Sequence, residues 1–538
     1  MLPPPPIRGL YRTDQRARAA YAEGAGIFRI VPAAVCLPLD PEDLATLIGW
    51  ASAERVPLVP RGAGSAMGGG NVGDGVVVDL TALPRRLQVD GPRRRARASA
   101  SVTLAELNVE ADLAGLRLPP DPSSGRWATL GGMLSTNAAG ARTVRYGSVR
   151  RWVEAVELIT ADGQTVEFRR GRPAQPASWS VERFETHAAP AIRAAADMVR
   201  ARFPRTRKNA SGYALDAWLE SGDLVDLLVG AEGTLGFVTA AEWRLDPVPE
   251  ARAGLRVSLR SLDALGDAVA VLLQHDPSAV ELLDRTFLEL VGEAGPEAVL
   301  LVEIEREDAE AARRAVARAA AAVAPWAESV DTAPTPAAAE RLWSLRHAAS
   351  PILAGLPETR RSLQVIEDGC VPVERMGDYV RAVREAAAER GLAVVIFGHA
   401  GDGHVHVNLL PEVARDGWEQ AVASLLETVT AALIRLGGTP SGEHGDGRLR
   451  AGLLAGVYGA EVLGLFTRVK AAFDPLGILN PGVILPSLDA PPPISRLKLG
   501  KLAAALPDDI ARALRDIERH GGYAQSRLAL ADTPSPQP

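Results

Sequence analysis

After the strand-like run Val56-Pro57-Leu58-Val59 the chain reads Pro60-Arg61-Gly62-Ala63-Gly64-Ser65-Ala66-Met67-Gly68-Gly69-Gly70, with five glycines. Glycine at that density weakens any helix or strand, so the segment is a loop held by its surroundings. Consecutive backbone N–H groups in such a loop can form a concave anion nest, and no side chain keeps a pyrophosphate away. The spacing matches neither the Rossmann turn Gly-x-Gly-x-x-Gly nor a Walker loop ending in Gly-Lys-Ser/Thr. Taken alone, a surface glycine turn fits as well as a phosphate cradle.

At 538 residues the chain exceeds one ordinary core, and about two to four domains are expected. A net charge of −7 offers no general attraction to nucleic acid or anionic lipid. Two cysteines, Cys36 and Cys370, exclude a disulfide framework, a Cys-rich zinc module and a Cys-ligated iron–sulfur cluster within these residues. The start, MLPPPPIRGL, lacks the charged-then-apolar order of a signal peptide. No apolar stretch is expected to span a membrane. The expected place is the cytoplasm, with peripheral docking at the inner membrane left open.

Residues 1–32, rich in Pro and Arg and then helical, read as a docking arm. From 33 to 247, short β-branched runs alternate with Gly-rich turns and short helices, an α+β domain. Its segment RWVEAVELITADGQTVEF reads as a hairpin turning at Asp-Gly. From 248 to 485 a second α+β domain repeats a strand–helix rhythm, with Ser261 the expected N-cap of its first helix and SLQVIEDGCVP an expected strand. Residues 486–538 read as a helix followed by a disordered Pro/Ser end.

Three further segments keep company with the first loop. They are Ala128-Thr129-Leu130-Gly131-Gly132-Met133-Leu134-Ser135-Thr136-Asn137, then Arg145-Tyr146-Gly147, then Gly230-Ala231-Glu232-Gly233-Thr234-Leu235-Gly236. In this order they resemble the FAD-binding domain of the vanillyl-alcohol-oxidase type (PCMH), in its glycolate oxidase and D-lactate dehydrogenase branch. The resemblance covers roughly 33–485 and implies a second, α+β substrate (cap) domain. It implies that Arg61, Gly62, Ala63, Gly64, Ser65, Gly68 and Gly69 hold the FAD pyrophosphate. Thr129, Gly131, Gly132, Thr136, Asn137, Tyr146, Gly147, Glu232, Gly236 and Asn480 would line the rest of the cofactor. Many relatives bond the flavin covalently through a histidine in the first loop. Ser65 stands there instead, so the FAD is expected to be non-covalent.

Four of the eight histidines, His399, His404, His406 and His444, fall close together. His399-Ala400-Gly401-Asp402-Gly403-His404-Val405-His406-Val407-Asn408 reads as strand, tight turn, strand. Period-two alternation puts His404, His406 and Asn408 on one face, with His399 opposite or diagonal. Glu443 and His444 follow in Ser-Gly-Glu-His-Gly. Two imidazoles and a carboxylate suit a borderline divalent ion such as zinc with open positions. The plainer alternative is a hydrogen-bonded polar interior. The resemblance implies His399, His406 and Glu443 as ligands and His444 as the catalytic base. His404 sits where relatives carry another polar residue, so ligand, supporting residue or neither are all open.

Arg346 and Ser350 share one helix face, one turn apart. A guanidinium fork suits a substrate carboxylate, and Arg346, Ser350 and Asn408 are assigned to the substrate on that basis and on the resemblance. Ile366-Glu367-Asp368 replaces a Lys-Tyr-Asp found in relatives acting on longer dicarboxylates. The implied reaction oxidises a D-2-hydroxy acid to the 2-oxo acid, with hydride to flavin N5. Electrons would pass to a separate quinone-linked or iron–sulfur partner. Rival readings are a flavin transferase resembling alkyl-dihydroxyacetone-phosphate synthase and an electron-transfer subunit, with self-association compatible with all three.

Because Ser65 cannot form a histidyl bond to the flavin, acid or heat denaturation should release all of the yellow chromophore as free FAD. Flavin left on the precipitated protein would contradict this.

Overall fold

Strand Leu58–Arg61 delivers the glycine-rich loop from the edge of a four-stranded sheet. The order is Leu10–Arg12, Ala34–Leu37, Val76–Asp79, Leu58–Arg61, the last three parallel. Those three are almost wholly buried, as a covered parallel sheet requires. Helix Pro41–Glu54 packs on it through Leu44, Leu47, Ile48 and Ala51. Asp40 caps that helix by accepting from the Asp43 N–H. The computed structural model describes residues 4–293, 295–487 and 491–532.

A second, antiparallel sheet runs in the order Leu87–Asp90, Arg95–Ser99, Phe237–Arg244, Val153–Ile159, Thr165–Arg169. Its last two strands are the hairpin read at Asp162-Gly163. The third sheet has six antiparallel strands: Ala327–Ala333, Ala251–Leu259, Ala298–Arg306, Ala279–Asp284, Ala393–His399 and His404–Leu410. Helices Leu265–Leu273, Ala309–Val323 and Met376–Glu389 share one core with it. The histidine hairpin therefore lies at the edge of the second unit.

Several expectations need correction. Residues 10–30 are not a free arm: Leu10–Arg12 pairs with Ala34–Leu37, and Ala17, Tyr21, Ile27 and Phe28 are buried. Ser261 precedes a 3-10 turn and makes no capping bond. Residues 362–372 form no strand: they bend at 365–366 and turn at 367–368, touching neighbouring chain through isolated bridges at Leu363 and Cys370. Segment Gly447–Phe473 is long and apolar enough to cross a membrane by length and composition. Gly459 breaks it, however, and Leu454, Tyr458, Val462, Phe466 and Phe473 pack in the first unit's core. After 486, helix Asp508–His520 packs on both the helix Pro336–Gly355 and the N-terminal helix Gln15–Ala20. The Pro/Ser end, 533–538, lies outside the described residues.

The two units meet at a charged seam. Arg142 donates to Asp121 at 2.6 Å within the first unit and to Glu303 at 2.7 and 2.9 Å on the third sheet. Glu305, two residues along the strand, takes Tyr146 and Arg117. Both glutamates are buried. Removing one partner of a buried pair leaves a charge without compensation. Arg142→Ala should therefore cost about 3 kcal/mol, read as a fall in thermal midpoint by calorimetry.

Candidate active site

One continuous cleft runs from the glycine-rich loop to the histidine hairpin. Gly62, Ala63, Gly64, Ser65, Thr129, Gly131, Gly132, Thr136, Glu232 and Gly236 line it, and so do Arg346, His406, Asn408, Glu443 and His444. The helix Leu130–Thr136 begins at this wall, with Thr129 capping it through the Gly132 N–H. A Cβ on Gly62 would crowd the Thr129 hydroxyl, at 2.5 Å.

The remaining expected cofactor residues do not line the cleft. The Arg61 side chain turns away from it, donating to the Glu23 carbonyl at 2.8 Å and lying over the Tyr21 ring. Gly68 and Gly69 are packing glycines. A Cβ on Gly68 would press on the Asp446 carbonyl, and one on Gly69 on Phe28. Asn137 ends its helix in the left-handed conformation and accepts from the Arg150 N–H. Tyr146 is spent on the interdomain seam, and Gly147 ends the short helix Thr143–Tyr146. Asn480 acts as a tie, donating to the Gly70 and Glu232 carbonyls at 2.9 and 2.8 Å. The Glu232 carboxylate accepts from the Asp446 and Gly447 N–H groups. Burial and the neighbouring Asp446 push its pKa up to about 8.

At the other end, sheet register builds the histidine centre. Glu281 pairs with His399, and His399 with His404, straight across three strands. His399 Nε2, His406 Nε2 and His444 Nε2 converge on one atom, Glu443 Oε1, at 3.4, 3.4 and 3.5 Å. The first two nitrogens are 3.3 Å apart. A tetrahedral ion with bonds to nitrogen of about 2.0–2.1 Å sets its ligand atoms about 3.3–3.4 Å apart. The donor set His399, His406 and Glu443 fits such an ion in chemistry and in spacing. Each histidine's far nitrogen is held: His399 Nδ1 by Glu281 at 2.6 Å and His406 Nδ1 by the Glu367 carbonyl at 3.2 Å. That is how ligating imidazoles are oriented.

His404 joins the same cluster of ligand-type residues. Its Nε2 is taken by Asp368 at 2.8 Å, its Nδ1 has no partner, and burial pushes its pKa down to about 3. His444 Nδ1 lies 2.7 Å from Glu367 Oε2, and its backbone N–H donates to Asp368. Burial alone would lower its pKa, but Glu367 and Asp368 push it up to about 10. Arg346 donates through Nε to Glu281 at 2.8 Å and lies over the Phe397 ring. Its terminal nitrogens bond to nothing else among the described residues. Asn408 accepts from Ser362 and Gln364. Ser350 is one turn beyond Arg346 in the helix, and its side chain lies outside the described residues.

Four partners went unread in the sequence. Lys208 is fully buried and donates to Glu443 Oε2 and the Gly140 carbonyl, both at 2.9 Å. Glu281, Glu367 and Asp368 hold the histidines and Arg346. Glu367 and Asp368 carried a signal, two adjacent acids in an apolar run, that was read for substrate length alone. Glu281, Glu367, Asp368 and Glu443 are all held below the usual carboxylate range by these histidines and cations. Against those four stand three fixed cations, Lys208, Arg346 and Arg450.

Residues 32–169 match the family described as FAD binding domain, and 248–484 the FAD linked oxidases, C-terminal domain. The chain is 30% identical to the D-lactate dehydrogenase of Archaeoglobus fulgidus over 495 residues, covering 90% of this chain and 97% of that one. It is 29% identical to glycolate oxidase subunit GlcD of Bacillus subtilis, covering 85% and 89%. With the D-2-hydroxyglutarate dehydrogenase of Pseudomonas putida it shares 30% identity over 89% of this chain but 50% of that longer one. Among solved structures, 4-ethylphenol oxidase from Gulosibacter chungangensis superposes with a TM-score of 0.64 at 16% identity, covering 89% and 94%. An alkyldihydroxyacetonephosphate synthase gives 0.60 at 15%, covering 88% and 83%. At such identity these neighbours show the fold alone, which is the expected vanillyl-alcohol-oxidase type.

In metal-free protein, histidine side-chain NMR should find His444 titrating near 10 and His399 near 9. Glu367→Gln removes the charge that favours the imidazolium, so the His444 titration should move down towards neutrality. An unchanged titration would refute the assignment.

Proposed function

The chain belongs to the FAD-linked oxidase family, as an FAD-dependent oxidoreductase acting on the CH–OH group of 2-hydroxy acids. On that premise we propose that it oxidises a short D-2-hydroxy acid, D-lactate or glycolate, to the 2-oxo acid. We place a divalent ion, zinc by donor chemistry, on His399, His406 and Glu443, and a separate quinone-linked or iron–sulfur protein as electron acceptor.

The observation that carries this reading is the single cleft that joins the FAD loops to Arg346 and His444. The flavin, when bound, supplies the hydride acceptor. An ion, when bound, supplies a Lewis acid beside the substrate hydroxyl. The rest falls to the chain's own groups. Arg346 is positioned by Glu281 and the Phe397 ring, with terminal nitrogens free to take the carboxylate in a fork. His444 Nε2 takes the hydroxyl proton from its neutral form, which the charge of an ion beside it would favour, and the Glu367 carboxylate at Nδ1 fixes the ring and stabilises the resulting imidazolium.

Substrate size follows from charge. Arg346 is the one Arg or Lys among the residues lining the cleft. Glu367 is paired with His444 and Arg450. A second substrate carboxylate would find no second arginine or lysine on the lining, which favours a monocarboxylate over 2-hydroxyglutarate.

Anaerobic D-lactate should bleach the flavin, and D-2-hydroxyglutarate should do so poorly; no bleaching by any 2-hydroxy acid would favour the transferase reading. His444→Ala should keep FAD and bound metal while turnover falls by roughly 10²–10⁴-fold. His399→Ala should lose metal and keep FAD, since the flavin loops belong to the other unit. Elemental analysis beside flavin-reduction kinetics separates the two. A fully active, metal-free wild type would end the metal assignment.

A further inference from the structure

The family match stops at Ile484, yet the chain goes on to the helices Asp508–His520 and Leu528–Asp532. The stretch between them, Gly521–Arg527, runs against the glycine-rich loop. Ala524 N–H donates to the Ala63 carbonyl at 3.1 Å, and Ala63 lines the cofactor cleft. Gly521 lies against Trp127 so closely that a Cβ would come within 3.0 Å of the indole. The Tyr21 hydroxyl accepts from the Arg527 N–H at 3.1 Å and donates to Asp79 at 2.5 Å. Over the ring of that tyrosine, at 5.4 Å, lies the Arg61 guanidinium. The preceding helix fastens the other end of the cleft: Arg515 donates to the Ala354 and Leu356 carbonyls, where the Arg346 helix ends.

Arg527 is 4% exposed, its Nη1 is enclosed without an acceptor, and its guanidinium makes no hydrogen bond among the described residues. Its charge faces a second buried guanidinium, Arg61, and two tyrosine rings. Asp79, the carboxylate felt by both arginines, is already taken by Tyr21 and Thr81. Burial and the like charge of Arg61 push the Arg527 pKa down to about 10. An enclosed guanidinium nitrogen without an acceptor is unfavourable, and such groups are ordinarily paired. Asn71, beside them, repeats the signal. Arg61 donates to its carbonyl, and its own side-chain amide is buried with neither polar atom partnered, on the cleft wall. Three orphaned or surplus polar groups thus surround one loop built to hold an anion.

We propose that the C-terminal segment Gly521–Arg527 supports the cofactor site from behind, clamping the glycine-rich loop at Ala63 while Arg527 and Arg61, both outside the cleft lining, add a positive field that favours the FAD diphosphate. The extension therefore supports cofactor binding, and the identity of the hydroxy acid does not enter.

Holoenzyme tests it. FAD release after dilution is followed by recovery of flavin fluorescence, without substrate, for wild type, Arg527→Lys and Arg527→Gln across a range of salt. Arg527→Gln should weaken FAD binding about tenfold and flatten its salt dependence. Arg527→Lys, which keeps the charge, should stay within about threefold of wild type. The thermal midpoint of the FAD-free protein should not fall in Arg527→Gln, since that change removes an unfavourable buried charge. A Gln variant that holds FAD as wild type does overturns the proposal. So does a Lys variant as weak as Gln, or FAD loss that tracks a fall in apoprotein stability, because either assigns Arg527 to packing.

Discussion

The site rests on the two oxygens of Glu443 being put to different uses. Oε2 is neutralised by the Lys208 ammonium, buried at the junction of the two units. Oε1 is left to face three imidazole nitrogens. Without Lys208 a carboxylate in that position would have to take a proton or a histidine's hydrogen bond, and the convergence would collapse into ordinary pairing. Lys208 also donates to the Gly140 carbonyl, beside the cofactor wall. One ammonium thus fixes the histidine centre relative to the domain that carries the flavin loops.

The hairpin was legible because its information is local. Alternation alone places His404, His406 and Asn408 together, and the turn at Gly403, with φ of 71°, accepts the left-handed conformation the strand reversal needs. Glu281 was not legible. It becomes a site residue because strand Ala279–Asp284 is sequence-distant yet adjacent in the sheet, and register sets its carboxylate opposite His399. Lys208 was hidden for the same reason in a different form, since nothing near Lys-Asn-Ala-Ser-Gly announces a buried cation.

The glycine motifs misled in a more instructive way. Their spelling suggests cofactor contact throughout, but several of these glycines serve to let two loops meet. Gly447, with φ of 54°, approaches Gly68 so closely that a Cβ would sit 1.9 Å from its carbonyl oxygen. Glu232 then bonds across to the backbone of 446–447, and Asn480 ties Gly70 to Glu232. The first and last glycine-rich segments are one packed knot. A motif spelled in glycine therefore predicts close approach, and whether the thing approached is a ligand or another backbone is decided by the rest of the chain.

That knot also explains how chemistry assembled from two units can be held in register. His444 sits three residues before Gly447, and Ser65 three before Gly68, so the same backbone contact anchors the proton-accepting ring and the cofactor loop. The charged seam at Arg142 sets the larger angle between the units, while this contact sets the finer distance within the cleft. A change that loosens the seam leaves the knot in place, but a side chain at Gly68 or Gly447 would separate the catalytic ring from the cofactor wall without touching either. Position within the knot, more than chemistry of the residue, makes these two glycines part of the catalytic geometry.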